Sequence, residues 1–329
     1  MANSSDFRKA VKLISKSKNI LITTHTKPDG DACGCIAAMY HAIKALHKKA
    51  TPVLPSELPE WYAFLFDKKP AVFGRDIAAE QLAGIDLIVL VDVNSYSQLP
   101  EIEKFLKQNQ KPVLVIDHHP PTDGLGDVEL VDVTAAAGGL IVLDFLKYVK
   151  QPITKKIARA LFVAIAADTG WFQFSNTDSR VYRSCAELVD AGAKPTQIYH
   201  ALYHNFSLQR FKLMAAMLST LELHFNGRYA EQHLLQRDFS QTGASYRDTE
   251  NFIDECRRIS TVEAAALFVE LQDGRIKCSM RSTDRVDVRR IAEKFGGGGH
   301  KMAAGTHLPP PLETARQTIK AEVEKQLNK

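Results

Sequence analysis

The stretch Val113-Leu114-Val115-Ile116-Asp117-His118-His119 indicates the fold class of the chain. Its first four residues are apolar and rich in β-branched side chains, which is typical of a strand buried in a parallel sheet. The strand ends in one carboxylate and two imidazoles, and two prolines follow. In doubly wound α/β folds, ligands bind at the carboxyl ends of the strands. We therefore expect a buried strand that opens into a polar site, rather than one that ends in an ordinary polar turn.

Three further apolar stretches end in the same kinds of residue: 19–25, 86–92 and 154–168. The first ends in His25 and leads into a loop that contains Asp29 and Asp31. The second ends in Asp92 and the third in Asp168. Taken alone, the Pro-Asp-Gly-Asp loop favours a turn in which Asp31 caps the next helix. Agreement among four separate element ends favours one shared polar site instead.

The first two of these stretches and the opening one are predicted strands, and 154–167 is predicted as a helix or helix–strand element. Their alternation with helices predicts a doubly wound α/β domain with a mainly parallel sheet. Helices are predicted at 32–47, 102–108 and 135–149, and a Pro-rich connection at 51–59. Strands at 228–235, 264–271 and 276–280, with helices at 250–259, 288–295 and 312–327, predict a smaller mixed α/β domain. We divide the chain into a first domain, a linker helix region and a second domain: 1–204, 205–217 and 218–329.

The composition excludes several classes of protein. Forty-two basic and 38 acidic residues give a net charge of +4, too mild to predict binding to duplex nucleic acid by charge alone. Such a charge fits a small anionic ligand. Five cysteines, of which only Cys33 and Cys35 are close together, argue against a disulfide framework and for a cytoplasmic protein. We find neither a signal-peptide pattern nor an apolar run near the roughly 20 residues of a membrane helix.

The shared polar site combines carboxylates and imidazoles without thiolates. Its members are His25, Asp29, Asp31, Asp92, His118, His119 and Asp168. Such a set suits manganese, magnesium or iron better than a structural zinc ion. It exceeds the needs of one open catalytic ion and suffices for two ions about 3.5–4 Å apart that share a carboxylate. Two such cations favour attack by hydroxide on phosphorus, because they neutralise the negative charge of both reactants.

The second domain contains two features that predict a phosphate-binding site. Arg281 lies near the end of a predicted strand and offers a planar guanidinium for bidentate contacts. A run of four glycines, which includes Gly297, Gly298 and Gly299, precedes His300. Glycines let the backbone approach a ligand and turn N–H groups towards an anion, and His300 can donate a hydrogen bond to it. Taken alone, the glycine run favours a flexible hairpin loop.

These motifs together resemble those of the DHH phosphoesterase superfamily. The first domain matches its four motifs in order: His25-x-x-x-Asp29-Gly30-Asp31, Val91-Asp92, Asp117-His118-His119 and Asp168-Thr169-Gly170. Ser279-Met280-Arg281-Ser282 and the Gly-Gly-Gly-Gly-His-x-x-Ala-Ala-Gly run resemble the substrate-binding domain that accompanies this superfamily. The resemblance covers nearly the whole chain and is strongest to NrnA-type nano-RNases, which also act as phosphatases on 3′-phosphoadenosine 5′-phosphate (PAP).

The resemblance implies two divalent cations, manganese in the first place and magnesium as the alternative. One ion would be held by His25, Asp29 and Asp92. The other would be held by four residues, which are Asp31, Asp92, His118 and Asp168. Asp92 would therefore bridge the two ions.

The remaining roles follow from the same resemblance. His119 would face the substrate and position or protonate the leaving group, and Asp117 would lie behind it and orient a histidine. Arg281, the backbone of Gly297 to Gly299 and His300 would bind one end of a short single-stranded RNA or nucleotide. Such a two-domain clamp would favour very short oligonucleotides. Family likeness alone allows a homodimer, and no membrane partner is expected.

Three other activities stay open. The first is hydrolysis of cyclic di-AMP or its linear product pApA. The second, ranked lower, is a pyrophosphatase, whose second domain normally relies on basic residues rather than on a Gly-His loop. The third is a nucleotide-binding module without turnover, against which the complete set of predicted ligands argues. Four residues depart from common family residues, which leaves the substrate preference open: Cys33, Cys35, Gln98 and Leu140.

Overall fold

We analysed a computed structural model of the chain, which describes residues 4–120, 123–204, 206–283 and 285–328. The chain forms two compact units, Met1–Asn205 and Phe206–Lys329. Each unit contains one six-stranded sheet with helices, so the predicted α/β class is confirmed. The predicted linker region, 205–217, begins at Asn205, which lies outside the described residues. Its bounds stay a prediction.

The first unit contains the following helices and strands: α1 (Ser4–Lys16), β1 (Asn19–Thr23), α2 (Gly30–Ala45), β2 (Lys49–Leu54), β3 (Ala71–Val72), β4 (Leu87–Val91), α3 (Glu103–Gln108), β5 (Val113–Asp117), β6 (Val128–Val131), α4 (Gly138–Tyr148), α5 (Lys155–Asp168), α6 (Ser179–Asp190) and α7 (Pro195–Tyr203). Short 3₁₀ helices lie at Glu60–Leu65, Ala79–Leu82 and Tyr96–Gln98.

The sheet of the first unit is parallel throughout and has the strand order β3-β2-β1-β4-β5-β6. The chain reverses its direction of travel across the sheet between β1 and β4, the place where doubly wound folds bind ligands. Both faces of the central strands are buried. Val89 packs into one apolar core with α2, α4 and α5, whereas Leu90 packs into a second core on the opposite face. The near-continuous apolar run that predicted β4 is the consequence of this double burial.

The prediction of a Pro-rich connection at 51–59 is wrong in its first part. Thr51 to Leu54 belong to β2, which pairs with β1 along its inner side. On the outer side, β3 pairs only with Val53 and Leu54. Pro52 therefore lies where β2 has no outer neighbour, which is where a strand tolerates proline.

The second unit contains the following helices and strands: α8 (Leu208–Ser219), β7 (Glu222–His224), β8 (Tyr229–Leu234), α9 (Gln236–Thr242), β9 (Ala264–Glu270), β10 (Ile276–Ser282), α10 (Val288–Glu293), β11 (Gly298–His300), β12 (Ala303–Leu308) and α11 (Leu312–Leu327). Short 3₁₀ helices lie at Tyr246–Thr249 and Phe252–Arg258.

The strand order of the second sheet is β11-β12-β10-β9-β8-β7. Only β8 and β9 are parallel, and the other pairs are antiparallel, which gives the predicted mixed sheet. Two of the four glycines of the predicted loop, Gly298 and Gly299, lie in the edge strand β11. Across both units, the described helices include none that is long and apolar enough to cross a membrane.

Candidate metal centre

The six predicted metal ligands lie together at the carboxyl edge of the first sheet. They form what we call the sheet-edge cluster: His25, Asp29, Asp31, Asp92, His118 and Asp168. His25, Asp92 and His118 follow β1, β4 and β5. They meet because parallel strands bring their carboxyl ends to one edge of the sheet. Asp31 lies in the first turn of α2, and Asp168 is the last residue of α5. Within each of two groups, His25–Asp29–Asp92 and Asp31–His118–Asp168, possible ligand atoms lie within 4.8 Å of one another.

Asp92 joins the two groups. Its Oδ2 lies 3.5 Å from Nε2 of His25, and its Oδ1 lies 3.6 Å from Nε2 of His118. The residue is 2% exposed and has a left-handed backbone with φ of 55°. A carboxylate that turns one oxygen to each histidine is suited to bridge two cations.

The two histidines of the cluster each present Nε2 to the carboxylates. Nδ1 of His25 lies 2.9 Å from the carbonyl oxygen of Thr26, and Nδ1 of His118 lies 3.2 Å from that of Ala135. A carbonyl oxygen only accepts, so each Nδ1 donates its proton there. Nε2 of the neutral imidazole then carries a free lone pair, as a metal ligand must.

Asp31 is fully buried and is held by the N-terminus of α4. The backbone amides of Gly138 and Gly139 donate to its two carboxylate oxygens, and the Cys35 thiol lies 3.3 Å from Oδ1. The first-turn amides and the dipole of the helix both stabilise a carboxylate at this position. The sequence predicted a helix entered through small residues at 135–149, but not that its amides bind a residue more than 100 positions earlier.

The cap of α2 is Asp29 rather than Asp31. Oδ1 of Asp29 accepts hydrogen bonds from the amides of Asp31 and Ala32, at 3.0 and 3.1 Å. The turn interpretation of the Pro-Asp-Gly-Asp loop therefore named the wrong aspartate, because Asp31 is turned inward to α4. Asp29 combines the cap with its place beside His25, whose Nε2 lies 4.0 Å away.

Asp117 and His119 form a pair that adjoins the cluster, since Nδ1 of His119 also lies 3.6 Å from Oδ1 of Asp92. Oδ1 of the buried Asp117 accepts from the amides of His118 and His119 and lies 2.9 Å from Nδ1 of His119. The His119 side chain is 49% exposed, whereas that of His118 is 14% exposed. Adjacent histidines thus differ: His118 is turned into the cluster, and His119 reaches solvent with its Nδ1 held by Asp117.

The electrostatics of the cluster fit divalent cations. Among the protein groups alone, burial and the charges of Asp92 and Asp168 raise the pKa of Asp31 well above its usual value. Burial opposes the charged form of His118, but the adjacent carboxylates of Asp168 and Asp92, 3.0 and 3.6 Å from its Nε2, raise its pKa. Buried Oδ1 of Asp92 and Nε2 of His118 lack a hydrogen-bond partner among the described residues. Unpaired buried groups are costly, and bound cations would satisfy both the charge and the open lone pairs.

The predicted phosphate-binding residues lie in the second unit. Arg281 is on β10, where its Nε lies 3.4 Å from Asp254 Oδ1 and its Nη1 donates to the carbonyl of Met280. Strand register aligns Arg281 with Ala303 on β12 and Ala303 with His300 on β11. The side chain of His300 lies outside the described part of the chain, so its predicted role stays a prediction.

Two glycines of the run are required by packing in the hairpin of β11 and β12. A Cβ atom at Gly297 would lie 2.2 Å from the carbonyl oxygen of Gly305. Gly299 has φ of 140°, and a Cβ atom there would lie 2.5 Å from the carbonyl oxygen of Ala303. A Cβ atom at Gly298 would meet nothing within 4 Å among the described atoms. Of the three glycines predicted to contact the substrate, Gly298 is the one with open space beside its backbone.

Comparison with known proteins agrees with the geometry. Residues 19–165 match the DHH family, N-terminal domain, and residues 229–329 match the DHHA1 domain. The bifunctional oligoribonuclease and PAP phosphatase NrnA of Thermus thermophilus is 31% identical over 94% of this chain and 90% of its own length. The chain therefore belongs to the DHH phosphoesterase family, with a C-terminal DHHA1 domain.

Two further relatives define the range of the likeness. The cyclic-di-AMP phosphodiesterase PdeA of Listeria monocytogenes is 24% identical over 96% of this chain, but over only 48% of its own length. An exopolyphosphatase-related protein from Bacteroides fragilis has the same fold, with a TM-score of 0.92 at 22% identity over 99% of this chain and 97% of that one. The likeness to the Bacteroides protein supports the fold alone.

Proposed function

We propose that this enzyme hydrolyses very short oligoribonucleotides to mononucleotides and PAP to AMP. The observation that carries the proposal is the sheet-edge cluster, in which Asp92 turns one oxygen to each of two histidine–carboxylate groups. The likeness to NrnA over nearly the whole length of both chains supports the choice of substrates. The absence of long apolar stretches and the five free thiols agree with a cytoplasmic location.

We propose two divalent cations as cofactors, Mn²⁺ in the first place and Mg²⁺ as the alternative. Asp92 would bridge them, between His25 with Asp29 on one side and Asp31, His118 and Asp168 on the other. Bound there, the cations would supply charge neutralisation at phosphorus and activation of a water molecule. The protein's own contribution is rigidity, because Asp31 is fixed by two backbone amides and each histidine by a backbone carbonyl.

His119 would protonate the leaving oxygen. Its hydrogen bond to Asp117 raises its pKa, which favours the imidazolium form that carries a proton on Nε2. The half-exposed ring can reach a substrate, whereas buried Asp117 can act only through His119. Replacing Asp117 by Asn should therefore lower kcat and move the alkaline limb of the pH–rate profile, where His119 loses its proton, to lower pH, without changing the metal content.

In the second unit we propose that Arg281, the Gly297 to Gly299 backbone and His300 bind the phosphate or nucleotide at one end of the substrate. The planar guanidinium of Arg281, held on a strand, can donate two hydrogen bonds to one phosphate group. Binding one terminus would give short substrates a higher kcat/KM than long ones. It would also let a protein with a net charge of only +4 act on RNA without a long basic surface.

A substrate panel on the purified, manganese-loaded protein tests the proposal. It should contain a diribonucleotide, a five-nucleotide RNA, a long RNA, PAP, pApA, cyclic di-AMP and pyrophosphate, with Asp92→Asn protein as the control for contaminating nuclease. We expect the highest kcat/KM on the shortest RNA and on PAP. Equal rates on long and short RNA would remove the end-binding role of the second unit.

The same panel decides between the alternatives. Turnover of cyclic di-AMP or pApA in preference to other dinucleotides would favour the activity named for the Listeria relative. Fast hydrolysis of pyrophosphate alone would identify a pyrophosphatase. Binding of nucleotides without hydrolysis of any substrate, including bis-p-nitrophenyl phosphate with Mn²⁺, would identify a binding module.

A further inference from the structure

An exposed aromatic ring lies in the segment that follows Asp168 of the sheet-edge cluster. The segment after Asp168 contains three aromatic residues, Trp171, Phe172 and Phe174. Trp171 packs edge-on against two tyrosines and donates its Nε1 hydrogen to the hydroxyl of Tyr203. Phe172 stacks on Tyr182 with ring centroids 5.7 Å apart. Phe174 is 55% exposed, so it differs from the other two in presenting its ring to solvent.

The backbone turns Phe174 back towards the metal ligand. Gly170, Trp171 and Phe172 have left-handed conformations, with φ of 54°, 54° and 68°. These three residues end α5 and reverse the chain, after which the amide of Phe174 donates to the carbonyl of Thr169. A Cβ atom at Gly170 would lie 2.5 Å from the ring of Phe174, so the ring lies directly on this glycine.

The loop that holds the ring is tied to Asp168. The side-chain amide of Asn176 donates to the carbonyl oxygens of Asp168 and Ala136, at 3.0 and 3.2 Å. Gly170 follows Asp168 by two residues, which limits their Cα separation to about 7 Å. Left-handed backbone in bulky residues is uncommon and persists only where the surroundings fix it. Phe174 is thus held over Gly170, two residues after the predicted ligand Asp168.

We propose that the ring of Phe174 stacks on a nucleobase of the substrate, on the nucleotide whose phosphate lies at the sheet-edge cluster. This inference rests on the proposed nucleotide substrates. A single exposed apolar residue is ordinary on a protein surface. Here the ring is fixed on the segment that directly follows the predicted ligand Asp168, and an aromatic face is the feature by which proteins bind unpaired bases without sequence preference. Purines offer the larger stacking face, so Phe174 makes the site favour purine over pyrimidine at that position.

The test combines enzyme and substrate variants. Phe174→Leu keeps an apolar side chain without a π face, and Phe174→Tyr restores the face. Tyr148→Leu is the matched control, since Tyr148 is an aromatic residue 39% exposed at the far end of α4, about 15 Å from the amides that bind Asp31. The substrates are a diadenylate, a diuridylate and two diadenylates that lack either the first or the second base.

We expect Phe174→Leu to lower kcat/KM on diadenylate by about 5- to 100-fold, the scale of one base–aromatic stack, and to act mainly on KM. The loss should be smaller on diuridylate, absent on the analogue that lacks the stacked base, and restored by Phe174→Tyr. Tyr148→Leu should leave all four substrates unchanged. A double-mutant cycle of ring and base then isolates the contact.

An equal loss on both base-free analogues would overturn the inference, because it would show a structural role for the ring. So would an unchanged purine preference in a Phe174→Leu protein with wild-type thermal stability. Failure of the proposed function looks different: the wild-type protein itself would not hydrolyse diadenylate.

Discussion

Each unit of the protein contains a cluster of histidine and carboxylate side chains. Only the cluster of the second unit includes an arginine that forms ion pairs with its carboxylates. The second-unit cluster consists of Glu222, His224 and Glu231, whose possible ligand atoms also lie within 4.8 Å of one another. Nε2 of His224 lies 3.1 Å from Oε1 of Glu231. As in the sheet-edge cluster, one carboxylate is almost fully buried, since Glu231 is 1% exposed. Ligand type, spacing and burial therefore do not distinguish the two clusters.

The guanidinium of Arg316 distinguishes them. In the second-unit cluster, Arg316 Nη2 lies 2.6 Å from Glu222 Oε1 and 2.5 Å from Glu231 Oε1. Among the described residues, the ion pairs of the sheet-edge cluster involve only histidines as the basic partner. The protein thus neutralises one set of carboxylates with its own cation and leaves the other set for cations from solution. A predicted metal site is therefore distinguished by the absence of an arginine or lysine partner for its carboxylates, as much as by the types of its possible ligands.

The largest expected effect comes from Asp92→Asn. The change removes the charge of the bridging carboxylate, so we expect kcat to fall at least about a thousand-fold, as when an essential catalytic group is lost. Metal content per chain, measured after dialysis against Mn²⁺, should fall as well. Glu222→Gln in the other cluster is the matched control and should leave both quantities unchanged. A metal content that fell equally in the control would erase the distinction between the clusters.

Arg316→Met should act on stability rather than on turnover. Removing the guanidinium leaves Glu231 buried without a compensating charge, and breaking a buried ion pair costs about 3–5 kcal/mol. We expect the free energy of unfolding in urea to fall by that amount, with kcat unchanged at low temperature. Lys325→Met, an exposed change on the same helix, should cost less than about 1 kcal/mol. A variant that binds an additional Mn²⁺ and regains stability would show that Arg316 alone separates the clusters.

Arg281→Ala tests whether the second unit contributes affinity. Loss of a charge-assisted phosphate contact should raise KM for short RNA about 10- to 100-fold and change kcat little. Arg275→Ala is the control, because Arg275 is exposed and pairs with Asp273 in the neighbouring turn. A fall in kcat at unchanged KM would instead place Arg281 in the chemical step.

The smallest effect concerns pH. Burial opposes the charged form of His25, but the hydrogen bond to Asp92 and the charges of Asp92 and Asp29 raise its pKa to about 9. At pH 7 a cation must therefore displace this proton, so the affinity for Mn²⁺ should rise about tenfold per pH unit for each proton released. The contribution of His25 levels off above pH 9, whereas that of His118, whose pKa its carboxylate neighbours raise to about 11, continues above it. Calorimetric titration in two buffers of different ionisation enthalpy counts the protons. The same value should be found for Glu222→Gln, and an affinity independent of pH would contradict the assignment of His25.

The linkage has a second consequence for the metal-free protein. A histidine whose pKa rises on folding stabilises the folded state below its unfolded value of about 6.5. That contribution to the free energy of unfolding is lost as the pH rises through about 9. Urea denaturation of chelator-treated protein at pH 6 and pH 10 measures it, and His25→Gln should reduce the difference by the contribution of His25, while that of His118 remains.

The strands that carry the site could be predicted because they are buried on both faces. β1, β4 and β5 read as continuous apolar runs that end in polar residues. β2 could not be predicted, since Pro52 argues against a strand. The proline is tolerated there because the short strand β3 pairs only with Val53 and Leu54 and leaves Pro52 without a neighbour on that side. β11 was missed because glycine has no side-chain pattern, and its pairing with β12 depends on a partner strand rather than on local preference.

The residue types of the metal centre could likewise be predicted, whereas their supports could not. Asp31 and His118 are identifiable as possible ligands from their place after a strand or before a helix. The amides of Gly138 and Gly139 that fix Asp31 are backbone groups, and nothing in the identity of a residue marks its amide as a donor to a distant carboxylate. The exposure of Phe174 was equally hidden, because it depends on the three left-handed residues before it.

The left-handed backbone of Asp92 has an evolutionary consequence. Glycine, and next to it asparagine, adopt this conformation more readily than other residues, and neither would place a negative charge among buried carboxylates. We therefore expect backbone and charge to oppose each other at this position: Asp92→Asn relieves the left-handed backbone but removes the carboxylate charge that faces His25 and His118, and it abolishes turnover. In a lineage that no longer needs the reaction, this aspartate should be among the first residues of the site to be replaced.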